Sequence, residues 1–350
     1  MAFDGRHPRP VDAHVVDQQK YTFVTVAHEA DWDVLALQAR SMHLYLPEDL
    51  AAEIIVVDNS SAGVPAEVRD ALRQSYGDLS SKVRFISANQ IADIPKATNG
   101  WLSQQILKLM VCQEVSTNRY VLLDAKNHLV FPLQRSFLES GDRIPAWIRN
   151  YEKHSLRPFL EKSLLYFGLN PEDYIKAFLP AITPYTMPTA AVRDLIRFVV
   201  EREDKPFPVT FLERGVSEFF LFAAFITMLG KTEEIYDLSG NWCPTIWDEN
   251  AIRGAGNLRH HIARGEKDAL PFFAVHRHAV PWLDGKSRLT IAEFWHRRGL
   301  VPTPSDGVKL LAENSGSKPP LGRRFYLRWR NRYSGLSGRI RRLAARSHRS

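Results

Sequence analysis

Three apolar, β-rich runs in the first third of the sequence end on side chains that can bind ligands or carry charge. Tyr21-Thr-Phe-Val-Thr-Val-Ala27 contains Thr25 and leads to His28, Glu53-Ile-Ile-Val-Val-Asp58 leads to Asn59, and Arg119-Tyr-Val-Leu-Leu-Asp124 leads to Lys126 and Asn127. Where such strands lie parallel in an open sheet, ligands bind beyond their carboxyl ends. Thr25, Ala27, Asp58, Asp124, Lys126 and Asn127 are therefore candidates for one site, with Thr25 and Asp58 placed to contact a base or ribose. Taken alone, Asp124 also reads as a strand-end carboxylate capping a turn. No Gly-x-Gly-x-x-Gly follows the first run and no Gly-Lys-Ser/Thr occurs anywhere, which removes the usual dinucleotide and P-loop readings.

Further candidates lie downstream. Gln104, Gln105 and Lys108 fall within one turn of a helix expected over 101–115. Lys108 sits among Ile106, Leu107, Leu109 and Met110, so it reads either as a ligand or as a lysine snorkelling beside a core stripe. In Glu213-Arg-Gly-Val-Ser-Glu218-Phe-Phe-Leu-Phe222, Ser217 fits a helix N-cap and Glu218 the positive end of the dipole. Phe272-Phe-Ala-Val-His276-Arg-His278 puts two histidines on one strand face. Trp242 and Trp247 flank Cys243-Pro244 and read as core residues or as faces for a sugar. His260-His261 reads as solvated surface.

The elements that must position these groups alternate. Strands are expected over 21–27, 53–59, 82–87 and 119–124, separated by amphipathic helices over 32–46, 64–76 and 101–115. That order predicts an α/β fold with a mainly parallel sheet covered on both faces. Helical periodicity punctuated by prolines dominates 145–235, which reads as a helical insertion on the acceptor side of one domain over 20–300. Strand-like runs return near 234–238 and 272–276. Residues 1–19 read as a disordered arm, 301–322 as a linker and 323–350 as a basic amphipathic tail.

With 350 residues, 45% of them hydrophobic and 24% charged, the chain has the composition of a globular protein with a large core. No apolar run approaches the ~20 residues of a bilayer span. The first 20 residues lack an apolar signal core, so a cytoplasmic location is expected. Cys112 and Cys243 stand far apart without a Cys-x-x-Cys partner, which excludes a zinc ribbon or disulfide framework. The net charge of +7 belongs to the end of the chain: residues 314–350 carry eleven Lys and Arg and no acid, so +7 less 11 leaves −4 for residues 1–313. Phe325, Trp329, Tyr333, Leu336, Ile340 and Leu343 recur at spacings of 4, 4, 3, 4 and 3, which on a helix is an arc that every arginine from 323 to 349 avoids. This pattern predicts an amphipathic helix on an anionic membrane surface and no nucleic-acid partner.

The runs ending at Asp58, Gly100-Trp-Leu-Ser-Gln-Gln-Ile-Leu-Lys-Leu109 and Tyr120-Val-Leu-Leu-Asp-Ala-Lys-Asn127 together resemble the nucleotide-sugar domain of GT-A glycosyltransferases. More narrowly they are similar to a bacterial family found with capsule and exopolysaccharide genes, over about residues 20–280. The resemblance implies a GT-A-like fold and sugar transfer from a nucleotide-sugar donor to a saccharide or lipid-linked acceptor in surface polysaccharide synthesis. It implies that Gln105 and Lys108 face the donor phosphates, that Glu218 takes the acidic position below the acceptor hydroxyl, and that His276 reaches the metal or diphosphate. Thr183 and Tyr185 would lie near the acceptor, with Trp242 as a stacking face. The GT-A pattern holds Mg²⁺ or Mn²⁺ with Asp-x-Asp, but here the second acid is Lys126. The implied metal ligands are thus Asp124, Asn127 and His276, while Lys126 supplies charge to the diphosphate directly. Two other readings compete: a nucleotidyltransferase on a similar sheet, and a non-catalytic carbohydrate-binding or scaffold protein.

Overall fold

β1 (Tyr21–Ala27) is buried along its whole length, and β2 (Ala51–Asp58) and β4 (Arg119–Asp124) along most of theirs, as continuous Val/Ile/Leu runs require when both faces of a parallel sheet are covered. The computed structural model describes residues 19–96, 98–240, 243–247 and 257–313. Between these strands come α1 (Trp32–Tyr45), α2 (Ala66–Ser75), β3 (Val83–Ser87), the single turn α3 (Ala88–Ile91) and α4 (Gly100–Met110). The central sheet has the order β3-β2-β1-β4-β7, parallel except for β7 (Tyr185–Pro188), which runs antiparallel to β4. The expected mainly parallel sheet flanked by helices is therefore present.

Side-chain alternation divides the core. Tyr21, Phe23, Ile54 and Val121 pack with Leu35, Ala39, Met42 and Leu72 of α1 and α2 on one face. Val24, Val26, Ile55 and Leu122 face the other way, onto α4 and the helices that follow. Those are α5 (Arg157–Tyr166), α6 (Thr189–Glu203), α7 (Phe207–Arg214) and α8 (Glu218–Met228). α8 is apolar all round after Glu218 and is buried on every side through Ile226, as such a helix must be.

Short elements complete the frame. β5 (Asn127–Leu129) follows β4 after a two-residue turn and pairs antiparallel with β10 (Phe272–Val275), which pairs in parallel with β9 (Thr245–Ile246). β6 (Ile144–Pro145) pairs with β8 (Tyr236–Asp237), just after the one-turn α9 (Thr232–Ile235). Around β10 lie α10 (Asn257–Lys267), α11 (Gly285–Arg297) and α12 (Pro304–Glu313).

Two boundaries differ from the sequence reading. Residues 304–313, expected within a linker over 301–322, form α12, whose Leu310 and Leu311 join a core with Ile291 and Trp295 of α11. The Pro, Gly and Ser content of the stretch masked the short apolar run Val308-Lys-Leu-Leu-Ala312 that supplies them. The stretch 145–235 is mostly helical but also supplies β7, whose Tyr-Thr-Met-Pro sequence is too short to show alternation. Of the arm, only residue 19 is described, and the tail over 323–350 lies outside the described residues.

Register fixes the position of the site. Ala27 pairs with Asp58, and Val26 with Asp124, so β1, β2 and β4 end together at one sheet edge. The strand order reverses between β1 and β4, which makes the crevice at their ends the topological switch point where open α/β sheets bind ligands.

Candidate active site

A cleft of about 1460 Å³ opens at this edge. Asp124 lies on its wall with both carboxylate oxygens engaged. Oδ1 faces Lys108 Nζ at 2.8 Å, while Oδ2 pairs with Lys126 and accepts the Thr183 hydroxyl at 2.9 Å. Lys108 Nζ also lies 3.2 Å from Glu218 Oε1, so one ammonium joins two carboxylates from β4 and α8. Burial opposes the charge on Lys108, but Asp124 and Glu218 outweigh it and raise its pKa. For Asp124 burial is likewise overcome, by Lys108 and Lys126, which hold its carboxyl well below the usual range. For Glu218 burial prevails over Lys108, and its pKa is raised.

The turn carrying these charges is braced from below. The Asp124 amide donates to Asn127 Oδ1 at 2.8 Å, and Asn127 Nδ2 reaches the Thr183 carbonyl at 3.3 Å. Gln38 Nε2, from the buried face of α1, donates to the carbonyls of Asp124 and Asn127 at 2.8 Å each. Thr25 Oγ1 donates to Gln38 Oε1 at 2.8 Å. Gln38 is the residue sequence reasoning missed. Its signal was a polar group inside the apolar stripe Leu35, Ala39 and Met42.

Beside Lys126 the wall is aromatic and imidazole-rich. Lys126 Nζ stands 5.2 Å over the Trp247 ring, whose centroid is 5.0 Å from that of His276. His276 Nδ1 accepts the His278 amide at 3.2 Å, which leaves Nε2 to carry the proton of the neutral ring. Burial, then Lys126 and His278, lowers its pKa to about 3.

Lys108, Asp124, Lys126, Thr183, Glu218 and His276 all line the cleft. Thr25, Ala27, Asp58, Gln105, Asn127 and Tyr185 do not. Gln105 turns into the protein, and its neighbour Gln104 lines the cleft, because Trp101, Gln104 and Lys108 share the outward face of α4. Thr25 is spent on Gln38. Ala27 is buried, with its carbonyl accepting the Asn59 amide at 2.8 Å. Asp58 Oδ1 accepts the Ser60 amide at 2.9 Å and closes the turn after β2. Tyr185 is stacked behind the wall on Phe219, with ring centroids 4.5 Å apart. Ser217 stands at the N-cap of α8 but makes no side-chain cap bond. Trp242 lies outside the described residues.

A divalent cation does not fit the expected ligands. It needs free oxygen donors, yet both Asp124 oxygens face ammonium groups, Asn127 Oδ1 holds a backbone amide, and His276 Nδ1 is taken. Among the described residues no three His, Cys, Asp or Glu side chains gather as a metal site.

Residues 25–282 match a family of unknown function (DUF6492), and the chain belongs to that family. No curated protein matches the sequence. Among solved structures it is similar to an active-site mutant of LgtC, with 15% identity over 53% of this chain and 65% of that one and a TM-score of 0.36. It is also similar to the bifunctional glycosyltransferase WbbM, with 10% identity, 88% of this chain, 53% of that one and a TM-score of 0.47. The glycosyltransferase GlyE of Streptococcus pneumoniae TIGR4 is similar at 13% identity, 87% of this chain, 66% of that one and a TM-score of 0.41. The chain thus spans about half to two thirds of the length of these proteins.

Proposed function

We propose that the protein transfers a sugar from a nucleotide-sugar donor to a saccharide or lipid-linked acceptor. The observation that carries the reading is the Lys108–Asp124–Lys126 array at the switch point, on the wall of a cleft large enough for two ligands. Asp124 aligns the two lysines and tempers their charge. Lys126, with the Nε2 proton of His276, stabilises the diphosphate as the bond from the anomeric carbon to its oxygen breaks. The acceptor hydroxyl oxygen forms the new bond to that carbon. Glu218 takes the hydroxyl proton: burial raises its basicity while Lys108 supports its ionised form. In this reading lysines supply the positive charge that a metal gives in an Asp-x-Asp site.

The role in surface polysaccharide synthesis rests on the sequence resemblance. The membrane reading rests on the spacing within 323–350, together with the position of α12, whose last residues line the cleft. A tail that binds anionic lipid on the cytoplasmic face brings the cleft near a lipid-linked acceptor. Among the described residues no helix is long and apolar enough to cross a membrane.

Calorimetry with UDP-, GDP- and CMP-sugars, with and without Mn²⁺, combined with donor-hydrolysis assays, tests the reading. Donor binding with slow hydrolysis is expected. Acceptor binding without donor binding would replace it with the carbohydrate-binding scaffold.

A further inference from the structure

Trp101 is half exposed on the wall of the cleft, an unusual setting for the residue with the largest apolar surface. It shares one face of α4 with Gln104 and Lys108, so that face runs outward from the ion-paired centre. At ~1.5 Å per residue, Trp101 lies about 10 Å along the helix from Lys108.

Its position is fixed. Asn99 Oδ1 caps α4 by accepting the Leu102 amide at 2.9 Å, and Asn59 Nδ2 donates to Ser103 Oγ at 2.8 Å, tying the first turn to the end of β2. Phe159 of α5 meets the indole edge-on, with centroids 5.4 Å apart at 68°. An indole held this way keeps an apolar face ready without ordering cost on binding. Polar groups accompany it: the Gln104 amide, and Arg149 and His154 from the segment leading into α5, line the same cleft. His154 Nδ1 accepts the Leu156 amide at 3.1 Å, which leaves Nε2 as donor. An aromatic floor with donors beside it suits a sugar ring, whose C–H face is apolar and whose edge is hydroxylated. A cleft of about 1460 Å³ also exceeds the ~300–1000 Å³ of a pocket for one small ligand.

We propose that Trp101 is the floor of a second acceptor subsite, and that the acceptor is a glycan engaged through at least two rings. The ring taking the new bond sits beside Glu218 and the next lies against Trp101. This rests on the glycosyl-transfer reading, but its test is separable from it.

The probes are α- and β-linked glucose and galactose disaccharides with their methyl monosaccharides, supplied with UDP-glucose or UDP-galactose. Both KM and direct binding by saturation-transfer NMR are measured. At least one disaccharide binds more tightly than its monosaccharide. Trp101→Ala raises KM for that disaccharide about tenfold more than for the monosaccharide, as loss of one stacking contact predicts, and Trp101→Phe restores most of the difference. Equal effects on both acceptors, or no preference for any disaccharide, overturn the subsite. If no donor is turned over but disaccharide binding depends on Trp101, the subsite stands and the transfer reading fails. If neither turnover nor binding is seen, both fail.

Discussion

Lys108 and Asp124 form an ion pair of 2.8 Å between the cleft-facing side of α4 and the end of β4. The same ammonium serves Glu218 at 3.2 Å, so three elements from separate parts of the chain meet at one charge. The pair lies at the boundary between core and cleft, and its loss should therefore affect both stability and function.

Lys108→Met leaves Asp124 with Lys126 but strands Glu218, whose side chain is 7% exposed, without a counter-ion. A cost of about 3–5 kcal/mol is expected at neutral pH. A buried acid with a raised pKa binds its proton more tightly in the folded state, so the variant loses further stability as pH rises through that pKa. Urea titrations at pH 5 and pH 8 should show the larger deficit at pH 8, and Lys108→Met with Glu218→Gln should recover most of it.

Asp124→Asn should abolish donor turnover and also destabilise the fold. It removes the carboxylate that separates Lys108 from Lys126, at a cost of about 3 kcal/mol, the low end for a buried pair because Asp124 is 29% exposed. The depressed pKa of Asp124 means that its stabilisation is complete above the unfolded carboxyl value of ~3.9 and is lost as pH falls toward the folded value. The gap between wild type and variant should accordingly narrow below about pH 4, where acid unfolding curves monitored by circular dichroism can read it.

The strand ends at Asp58 and Asp124 were legible because continuous apolar runs stop at a polar residue. Which of those residues face a ligand was not. Thr25 and Asp58 have the same strand-end signature as Asp124, but their bonds go to Gln38 and Ser60. Choosing Gln105 over Gln104 failed for a rotational reason: adjacent helix positions differ by ~100°, and 3.6-residue spacing from Lys108 selects Gln104 and Trp101. Glu218 read as a helix start and is one, but its partner Lys108 lies 110 residues away, a contact no local pattern encodes.

Turnover should survive chelation. In the proposed reading, the two ammonium groups paired with Asp124 supply the charge that a divalent cation would. Donor turnover in EDTA equal to that in Mn²⁺ is the expected result, and Lys126→Ala should weaken donor binding at least about tenfold, the worth of one charge-assisted hydrogen bond. Complete loss in EDTA with recovery in Mn²⁺ would return the metal to Asp124 and discard the lysine reading.

The docking of α12 depends on Gly307. A Cβ at this position would lie 2.8 Å from Ala292 Cβ of α11, a rigid neighbour with no room to withdraw. Gly307→Val should cost about 1–3 kcal/mol through overpacking. Gly307→Ala should cost less, since its helix propensity offsets part of the clash. Thermal unfolding of both variants orders them, and a Val variant as stable as wild type would show that the contact contributes nothing to stability.

The sequence after α12 is basic and carries no acid between residues 314 and 350. Were the segment helical, Phe325, Trp329, Tyr333, Leu336, Ile340 and Leu343 would fall within an arc of roughly 80° at ~100° per residue, with the arginines outside it. Each Arg near an anionic surface contributes about 1 kcal/mol, so half of those present would hold the chain to a membrane. Attraction of this kind is screened by salt, whereas apolar insertion is not. The full chain should therefore co-sediment with phosphatidylglycerol vesicles at low salt, retain part of that binding at high salt, and lose it on truncation after Ser317. A truncated chain that binds equally well would assign the membrane contact, if there is one, to the body of the protein. Binding abolished by salt alone would reduce the apolar arc to a bystander and leave a purely electrostatic tail.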